Sequence, residues 1–435
     1  WRGKKVFIEF EGVYMNAEVW LNEDYLGRHP YGYTSFKYDL SSYLQYGEEN
    51  ELRVKVDNAC QRNSRWYSGS GIYRPVWLMV AEPIHVEHWG IAVTTDEITS
   101  EVARLTIHTG VVNESSEEVN IEVHSSISDP DGETVQTAAT SASIASDMPE
   151  TYVQEMEVPS PHPWSPTAPH LYTLDTEIRV VGEVVDTAKT SFGIRVLEVD
   201  AQRGLLLNGD PIVLRGGCVH HDNGVLGAAS YPRSEARKVE LLKANGFNAV
   251  RCAHNPPAPA FLDACDRQGM LVIDEAFDCW LEGKTPYDYH VVFSDWWRRD
   301  VISMIYRDRN HPSVIMWSIG NEVRERDGRS DGAALAQRMA DYVHSMDPSR
   351  PVTAGVNGGG GRWPWERTDN IFSALDVCGY NYQEQQYRSD HERRPDRVIY
   401  GSESTAREPL EHWTSVESLR YVVGDFVWTA LDYLG

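Results

Sequence analysis

Short runs of alternating apolar and polar residues make up the N-terminal half of the chain. Between Val6 and about Ala81, runs such as Ala17–Leu21 are separated by turn residues, and this alternation is typical of half-buried β-strands. A second series extends from about Pro83 to Arg195, with a turn at Asp129–Gly132. We therefore predict two β-sandwiches, of which the second is immunoglobulin-like.

After Gly204 short apolar runs alternate with helical stretches, which predicts a parallel sheet built from βα units. One helix is marked by Ser234 as its cap, by apolar residues at helical spacing and by Gly246 at its end. Eight candidate strands predict a closed (β/α)8 barrel, with domains at residues 1–82, 83–196 and 197–435. These strands are Val213–Val219, Ala249–Cys252, Leu271–Asp274, Val314–Ile319, Pro351–Gly355, Val377–Tyr380, Val398–Gly401 and Phe426–Ala430.

Composition narrows the classes of function. The chain has 435 residues, 41% of them hydrophobic, and no apolar run approaches the ~20 residues that a membrane helix needs. Its formal charge of −25 repels nucleic acids and anionic membranes, so a neutral substrate is the simpler partner. The six cysteines show neither C-x-x-C nor zinc spacing, and we interpret them as buried free thiols.

The two ends of the sequence both look truncated. The chain begins at Trp1 without a signal-like segment, and it ends at Gly435 without the helix expected after the eighth strand. The N-terminal sandwich and the barrel are therefore expected to be incomplete. The sequence leaves the compartment open, and a homo-oligomer is among the states it allows.

Two glutamates follow predicted barrel strands that lie opposite each other. Glu322 comes after the fourth strand and Glu403 after the seventh. The active site of such a barrel collects at the carboxyl ends of its strands. Glycoside hydrolysis requires two carboxylates that flank one bond. Either glutamate alone would equally suit a solvent-exposed strand end, so the joint placement is what favours catalysis.

Six motifs are spread along the chain, from Asn63–Arg74 through Trp317-Ser318-Ile319-Gly320-Asn321-Glu322 to Gly401-Ser402-Glu403. Together they resemble glycoside hydrolase family 2. The resemblance implies a jelly-roll domain, an immunoglobulin-like domain and a TIM barrel, in that order. Within the family, the run Asn63–Arg74 and the segment Phe426–Tyr433 are most similar to bacterial β-galactosidases. The motifs are Asn63–Arg74, Arg251-Cys252-Ala253-His254-Asn255, Asp274-Glu275-Ala276, His311-Pro312-Ser313-Val314, Trp317-Ser318-Ile319-Gly320-Asn321-Glu322 and Gly401-Ser402-Glu403.

The resemblance implies specific roles for residues at the strand ends. Glu322 would be the general acid/base and Glu403 the nucleophile of a retaining enzyme. Taken one at a time, each supporting residue also has a structural alternative, such as a strand-end turn, a core position or a plain ion pair. By the resemblance, Asn321 would bind the sugar 2-hydroxyl, and His221 and His254 would contact the substrate. Arg251 and Tyr382 would support the nucleophile. Trp428 would form an apolar surface beneath the sugar ring, and Asp278 would contact sugar hydroxyls.

Some further residues near these motifs have less definite roles. Arg65 is a candidate substrate contact from the jelly roll, and Trp280 is a candidate wall of the sugar site. The glycine-rich loop 358–361 lacks the features of a phosphate loop, so we interpret it as a cleft rim with Trp363 and Trp365 as aglycone contacts. His220 stands where relatives often carry Arg or Lys, and its role is left open.

No metal or other cofactor is expected. Some family members bind magnesium through a Glu and a His after the Asp-Glu-Ala strand. Cys279 and Leu281 occupy the corresponding positions here, and neither suits an oxygen-rich magnesium site.

The motifs favour an exo-acting retaining β-galactosidase whose partner is a β-galactoside. A β-glucuronidase or another specificity of the same family is the first alternative. An alternative of another class is a carbohydrate-binding protein on an inactive glycosidase scaffold, against which both glutamates and Tyr382 argue. Neither nucleic acid nor membrane is an expected partner.

Overall fold

The computed structural model describes residues 1–328, 331–432 and 434. Tyr433, part of the segment compared above with β-galactosidases, and Gly435 lie outside the described residues. Among the described residues, no helix has both the length and the apolar character needed to span a membrane.

The N-terminal domain is a sandwich of short antiparallel strands. Alternate side chains point inward, as the sequence pattern predicts, and Val6, Ile8, Phe10 and Val19 form its core. In the sheets, Lys5–Phe10 lies between Phe36–Asp39 and Val76–Ala81, Ala17–Leu21 lies between Asp24–His29 and Leu52–Lys55, and Val13–Tyr14 pairs with Gly71–Ile72.

The second domain is also an antiparallel sandwich, with longer strands. Its two sheets enclose Leu105, Ile107, Ile127 and Leu174. One sheet has the order Pro149–Pro159, Val102–Asn113, Ile84–Ile98, and the other has the order Thr134–Ile144, Val119–Ser128, Tyr172–Val180, Glu183–Phe192.

The third domain is a closed parallel barrel, which confirms the predicted fold class. A small sheet of Leu197–Asp200, Gly204–Leu207 and Asp210–Pro211 precedes it, and Leu205 packs into the apolar cluster inside the barrel. Barrel strands one to eight are Leu214–Val219, Ala249–Cys252, Leu271–Glu275, Val314–Asn321, Val352–Asn357, Val377–Asn381, Ile399–Thr405 and Val422–Trp428.

Helices lie between the barrel strands. The first begins after Tyr231, and the Ser234 hydroxyl accepts a hydrogen bond from the Tyr231 amide, so Ser234 supports the start from inside the helix. The α-helices are Pro232–Ala244, Pro259–Gln268, His290–Asp308, Gly332–Met346, Asp369–Phe372, Tyr387–Arg393 and Pro409–Ser418. Short 3-10 helices cover Gly224–Leu226, Arg324–Asp327, Trp365–Thr368 and Glu384–Gln386.

Two further details differ from the sequence predictions. The eighth strand is Val422–Trp428 and begins earlier than predicted, because Val422 and Val423 are buried and Gly424 pairs with Leu214 of the first strand. Cys60 is exposed, whereas the other five cysteines are buried as expected.

The jelly roll packs directly on the barrel. The Tyr31 hydroxyl donates to the Ala276 carbonyl at 2.7 Å, and the Thr34 hydroxyl donates to the Asp300 carboxylate at 2.6 Å. Ala276 follows the third strand at its carboxyl end. The jelly roll therefore reaches the end of the barrel where a TIM-barrel site forms.

Candidate active site

Glu403 lies on barrel strand seven with its carboxylate buried. Arg251 Nη1 donates to Glu403 Oε1 at 2.9 Å, and the Tyr382 hydroxyl donates to the same carboxylate. Burial raises the pKa of Glu403, while the Arg251 guanidinium and the Tyr382 hydroxyl oppose that rise. The two donors therefore favour the ionised form that a nucleophile needs.

Tyr382 is tied to Glu403 through its backbone as well. Its amide donates to the Glu403 carbonyl at 2.7 Å, and its φ of 55° places it in the left-handed region. Burial and the Glu403 charge raise the pKa of the Tyr382 phenol. The hydroxyl consequently keeps its proton and acts as a donor.

Arg251 is held by a second buried carboxylate, that of Glu275 at the end of strand three. Arg251 Nε and Nη2 contact Glu275 Oε2 at 2.9 and 2.7 Å, and Ser318 Oγ donates to the same oxygen at 2.6 Å. Burial raises the pKa of Glu275 to about 7, whereas the adjacent guanidinium favours its charged form. The pair leaves Arg251 fixed between Glu275 and Glu403.

Asn321 ends strand four and is fully engaged by protein groups. Its Oδ1 accepts from Arg251 Nη2 at 2.9 Å and from Asn381 Nδ2 at 3.0 Å. Its Nδ2 contacts Asp278 Oδ1 at 3.1 Å and His254 Nε2 at 3.3 Å. Any further hydrogen bond to Asn321 must therefore replace one partner, and the longer contact to His254 is the easiest to exchange.

His254 lies between Glu275 and Asn321 and stacks on Trp428. Its ring is parallel to Trp428 with centroids 5.2 Å apart, and its Nδ1 is 2.7 Å from Glu275 Oε1. Burial lowers the pKa of His254 well below its ordinary value, so the ring is neutral at pH 7. The tautomer protonated on Nδ1 suits both neighbours, because Nε2 then accepts from Asn321.

We use the term floor for Arg251, Glu275, His254, Asn321 and Glu403. These five side chains are at most 5% exposed and form one connected hydrogen-bond network. Each stands at or just after the carboxyl end of a barrel strand. The barrel alone is therefore sufficient to bring them together.

Glu322 follows Asn321 and is half-buried. Its amide donates to the Gly355 carbonyl at 2.7 Å, and its φ of 43° turns the chain at the strand end. Asn381 Nδ2 donates to Glu322 Oε1 at 3.1 Å, and Asn381 is also the register neighbour of Glu403. The negative charge of Glu322 adds to the raised pKa of Glu403, as expected for two carboxylates that share one cleft.

We use the term rim for Arg65, Asp278 and Lys284. Arg65 extends from the jelly roll and binds Asp278 with two nitrogens, at 2.9 and 2.6 Å, while Lys284 Nζ lies 2.6 Å from the same carboxylate. Although burial opposes it, Lys284 and Arg65 lower the pKa of Asp278 well below its usual range. Since Asp278 also holds the Asn321 amide, the structure shows it bound to protein groups where hydroxyl contacts were expected.

The two adjacent histidines after strand one have different surroundings. His220 stacks on Trp66 at 5.5 Å and meets Trp428 edge-on at 5.3 Å, which places it beside the floor. His221 turns away and lies against Tyr33 and Tyr73. Of this pair, the structure therefore brings His220 to the site, although sequence interpretation favoured His221.

The tryptophans expected at the cleft are divided between core and surface. Trp280 is fully buried and donates to the Ile319 carbonyl at 2.8 Å, and Trp365 is 8% exposed and donates to Asp390 at 2.7 Å. Both pack in the core and do not form a wall. Trp363 is half-buried under the Arg326 guanidinium, whose Nη1 donates to the Glu322 carbonyl at 2.9 Å.

Three residues of this network had no assigned role in the sequence interpretation. Glu275 and Asn381 are polar residues at strand ends, so the rule that located Glu322 and Glu403 would have found them. Lys284 lies in a loop, and no local pattern marks it. Its place depends on Asp278 and on the Asn321 carbonyl, which it contacts at 2.8 Å.

A closed (β/α)8 barrel with two glutamates at the carboxyl ends of strands four and seven is an arrangement found in glycoside hydrolases that use paired carboxylates. Comparison with family models agrees with this class. Residues 1–82 match the sugar binding domain, residues 84–195 a second domain and residues 197–388 the TIM barrel domain of glycosyl hydrolases family 2. The chain belongs to glycosyl hydrolases family 2.

Known relatives extend beyond this chain. The β-galactosidase BoGH2A of Bacteroides ovatus is 39% identical over 509 aligned residues, which span all of this chain and 59% of that protein. A putative β-glucuronidase of Formosa agariphila is 38% identical over 81% of this chain and 32% of its own length. A family 2 glycosyl hydrolase structure from Bacteroides cellulosilyticus superposes with a TM-score of 0.96 at 43% identity, covering 99% of this chain and 55% of that one.

Proposed function

We propose that the protein is a retaining exo-β-glycosidase that removes terminal β-D-galactose. The observation that carries the retaining mechanism is the different support of the two glutamates, and the choice of galactose rests on the similarity to named β-galactosidases. Glu403 is buried and receives hydrogen bonds from Arg251 and Tyr382, whereas Glu322 is half-buried and receives one from the neutral amide of Asn381. This difference suits a nucleophile and a proton donor.

In the first step, a Glu403 oxygen attacks the anomeric carbon while the bond to the leaving oxygen breaks. Glu322 transfers its proton to that oxygen, and a covalent glycosyl ester remains on Glu403. In the second step, water attacks the same carbon, Glu322 accepts the water proton, and Glu403 is released as a carboxylate. The two inversions together retain the β configuration.

The floor has a further task in this scheme. Arg251 stays paired with Glu275 when Glu403 becomes a neutral ester, so its charge is never left buried without a partner. Asn321 exchanges its contact with His254 for the sugar 2-hydroxyl, and Trp428 presents its ring to the sugar.

The roles of the two glutamates can be tested by substitution and azide rescue. Glu403→Gly should abolish hydrolysis of all substrates, because no ester can form. Glu322→Gly should mainly slow substrates with poor leaving groups, since an activated phenol departs without a proton. Azide should give a β-glycosyl azide with Glu322→Gly, and an α-product, if any, with Glu403→Gly. The reverse stereochemistry would contradict the assignment.

A β-glucuronidase is the second candidate. Relatives with that name match the chain, and the rim brings two cations, Arg65 and Lys284, beside one carboxylate, Asp278. The preference is tested by kcat/KM for nitrophenyl β-galactoside and β-glucuronide on the same preparation. A higher value for the glucuronide would replace the galactosidase proposal while leaving the roles of Glu322 and Glu403 unchanged.

A further inference from the structure

A polar cavity of about 160 Å³ lies between the immunoglobulin-like domain and the amino-terminal end of the barrel, opposite the catalytic face. Its volume is about ten times the roughly 10–15 Å³ that one water needs. Three arginines line it, Arg195 from the end of the immunoglobulin-like domain and Arg309 and Arg350 from the loops before strands four and five.

Arg195 is buried and, among the described residues, forms no ion pair. Its Nε donates to the Pro312 carbonyl at 3.0 Å and its Nη2 to the Val314 carbonyl at 2.7 Å. Those two bonds use two of its five N–H groups, and its Nη1 has no protein acceptor in the described part of the chain. Arg195 therefore brings both a charge and unused donors to the cavity.

Arg350 adds a second buried charge close to the first. Its Nε donates to the same Val314 carbonyl, at 2.8 Å, so the two guanidiniums share one acceptor. Asp347 pairs with Arg350 at 2.6 Å. Burial and the nearby Arg350 charge both lower the pKa of Arg195 well below its ordinary value, although Asp347 and Asp266 oppose the shift.

Arg309 supplies a third charge and further donors. Its Nη2 donates to the Trp89 carbonyl at 2.7 Å, whereas its Nε is buried without a hydrogen-bond partner. Within the described residues, Asp347 is the one carboxylate at ion-pair distance from any of these three arginines. Buried charge of this kind is costly unless an anion compensates it.

We propose that this cavity binds a small inorganic oxyanion of the phosphate or sulfate class. Arg195 and Arg309 contribute the hydrogen bonds, because they have unused donors, and Arg350 contributes charge alone, because its five N–H groups already have acceptors. The anion bridges the immunoglobulin-like domain and the barrel, so its binding stabilises their association. The proposal does not depend on the catalytic function.

The direct test uses selenate, whose selenium gives an anomalous signal. Crystals of the protein grown without sulfate or phosphate are soaked in sodium selenate. We expect an anomalous peak in the cavity, within hydrogen-bond distance of Arg195 Nη1. Selenate peaks found only at other places, or none at all under saturating selenate, would overturn the proposal.

A solution test uses selenate titration by calorimetry at constant ionic strength. Arg195→Gln and Arg309→Gln should each weaken binding about tenfold or more, because each loses a charged hydrogen bond. Arg309→Gln is informative even if Arg195→Gln does not fold, since Arg309 is only half-buried. The matched control is Arg104→Gln, an exposed arginine of the immunoglobulin-like domain outside the cavity lining, which should bind like wild type. Equal affinity in Arg309→Gln and Arg104→Gln would contradict the assignment.

Discussion

The floor and the rim of the candidate site are built in different ways. The floor is a buried network made within one domain, in which Arg251 and Glu275 are both 0% exposed. The rim joins two domains through the Arg65–Asp278 pair, and the Arg65 side chain is 36% exposed. Burial makes each charge in the floor depend on its partner, whereas water can replace much of what a partly exposed pair provides.

This difference predicts which substitutions should change stability and activity most. A substitution of a charged floor residue leaves its buried partner charge without compensation and displaces groups that the proposed mechanism places at the reacting atoms. A substitution in the rim removes a contact that solvent partly screens. We therefore expect floor variants to lose both stability and activity, and rim variants to lose mainly activity.

The largest effect is expected for Glu275→Gln. It removes the carboxylate that compensates Arg251, so the free energy of unfolding should fall by about 3–5 kcal/mol. Displacement of Arg251 should lower kcat/KM by about 100-fold. Denaturant unfolding and steady-state kinetics measure the two effects, with the exposed Glu240→Gln as control. A folded Glu275→Gln variant with near wild-type kcat/KM would show that the floor is not a unit.

The next largest effect is expected for Gly355→Ala, which tests packing in the floor without changing charge. An added Cβ would lie 2.8 Å from Arg251 Nη2 and 2.9 Å from Asn321 Oδ1. Overpacking should cost about 1–3 kcal/mol of stability and reduce kcat. Gly358→Ala is the control, because the three atoms nearest to its Cβ all belong to the flexible end of the Gln383 side chain. Similar kcat values for both variants would argue against a tightly packed floor.

The stability of the interface between the jelly roll and the barrel should depend on pH. Asp300 accepts a hydrogen bond from Thr34 of the jelly roll, and burial raises the pKa of Asp300 to about 7. Because this folded-state pKa exceeds the unfolded value, the stabilisation is complete below about pH 4 and is lost as pH rises to about 7. The wild type should lose up to about 1.4 kcal/mol per pH unit over this range relative to Asp300→Asn. If the unfolding free energies of the wild type and of Asp300→Asn changed in parallel between pH 4 and 7, the prediction would be contradicted.

A smaller effect on stability is expected for Arg65→Gln in the rim. Loss of the pair with Asp278 should change the unfolding free energy by less than about 1 kcal/mol, because Arg65 is partly exposed. Asp278 would then hold Asn321 less firmly, so kcat/KM should fall by about tenfold. Arg53→Gln, in an exposed pair of the same domain, is the control. An unchanged kcat/KM in Arg65→Gln would restrict Arg65 to a structural role.

Removal of divalent cations is expected to leave the hydrolytic activity unchanged. The resemblance to the family implies that Cys279 and Leu281 occupy the positions at which some members bind magnesium, and the rim places the cations Arg65 and Lys284 beside Asp278. Activity is compared after exhaustive chelation and after magnesium is added back. A large recovery with magnesium would show a metal requirement.

The sequence by itself determined the fold class and the positions of both glutamates. Period-two alternation and short apolar runs are local properties, and each run became a strand because its pattern presents one or two apolar faces whatever element later covers them. Glu322 and Glu403 followed from the rule that barrel strands end at the active site. Glu275 and Asn381 obey the same rule.

Only the tertiary structure decided which neighbouring side chains face the site. Adjacent His220 and His221 differ by a single position, and the packing of Trp66 from the jelly roll selects His220. Trp280 and Trp365 are of the residue type that often lines sugar sites, but both are buried in the core. Arg65 meets Asp278 across 213 positions. Such contacts depend on how domains dock, and docking is set by the summed complementarity of two surfaces, which no local pattern encodes.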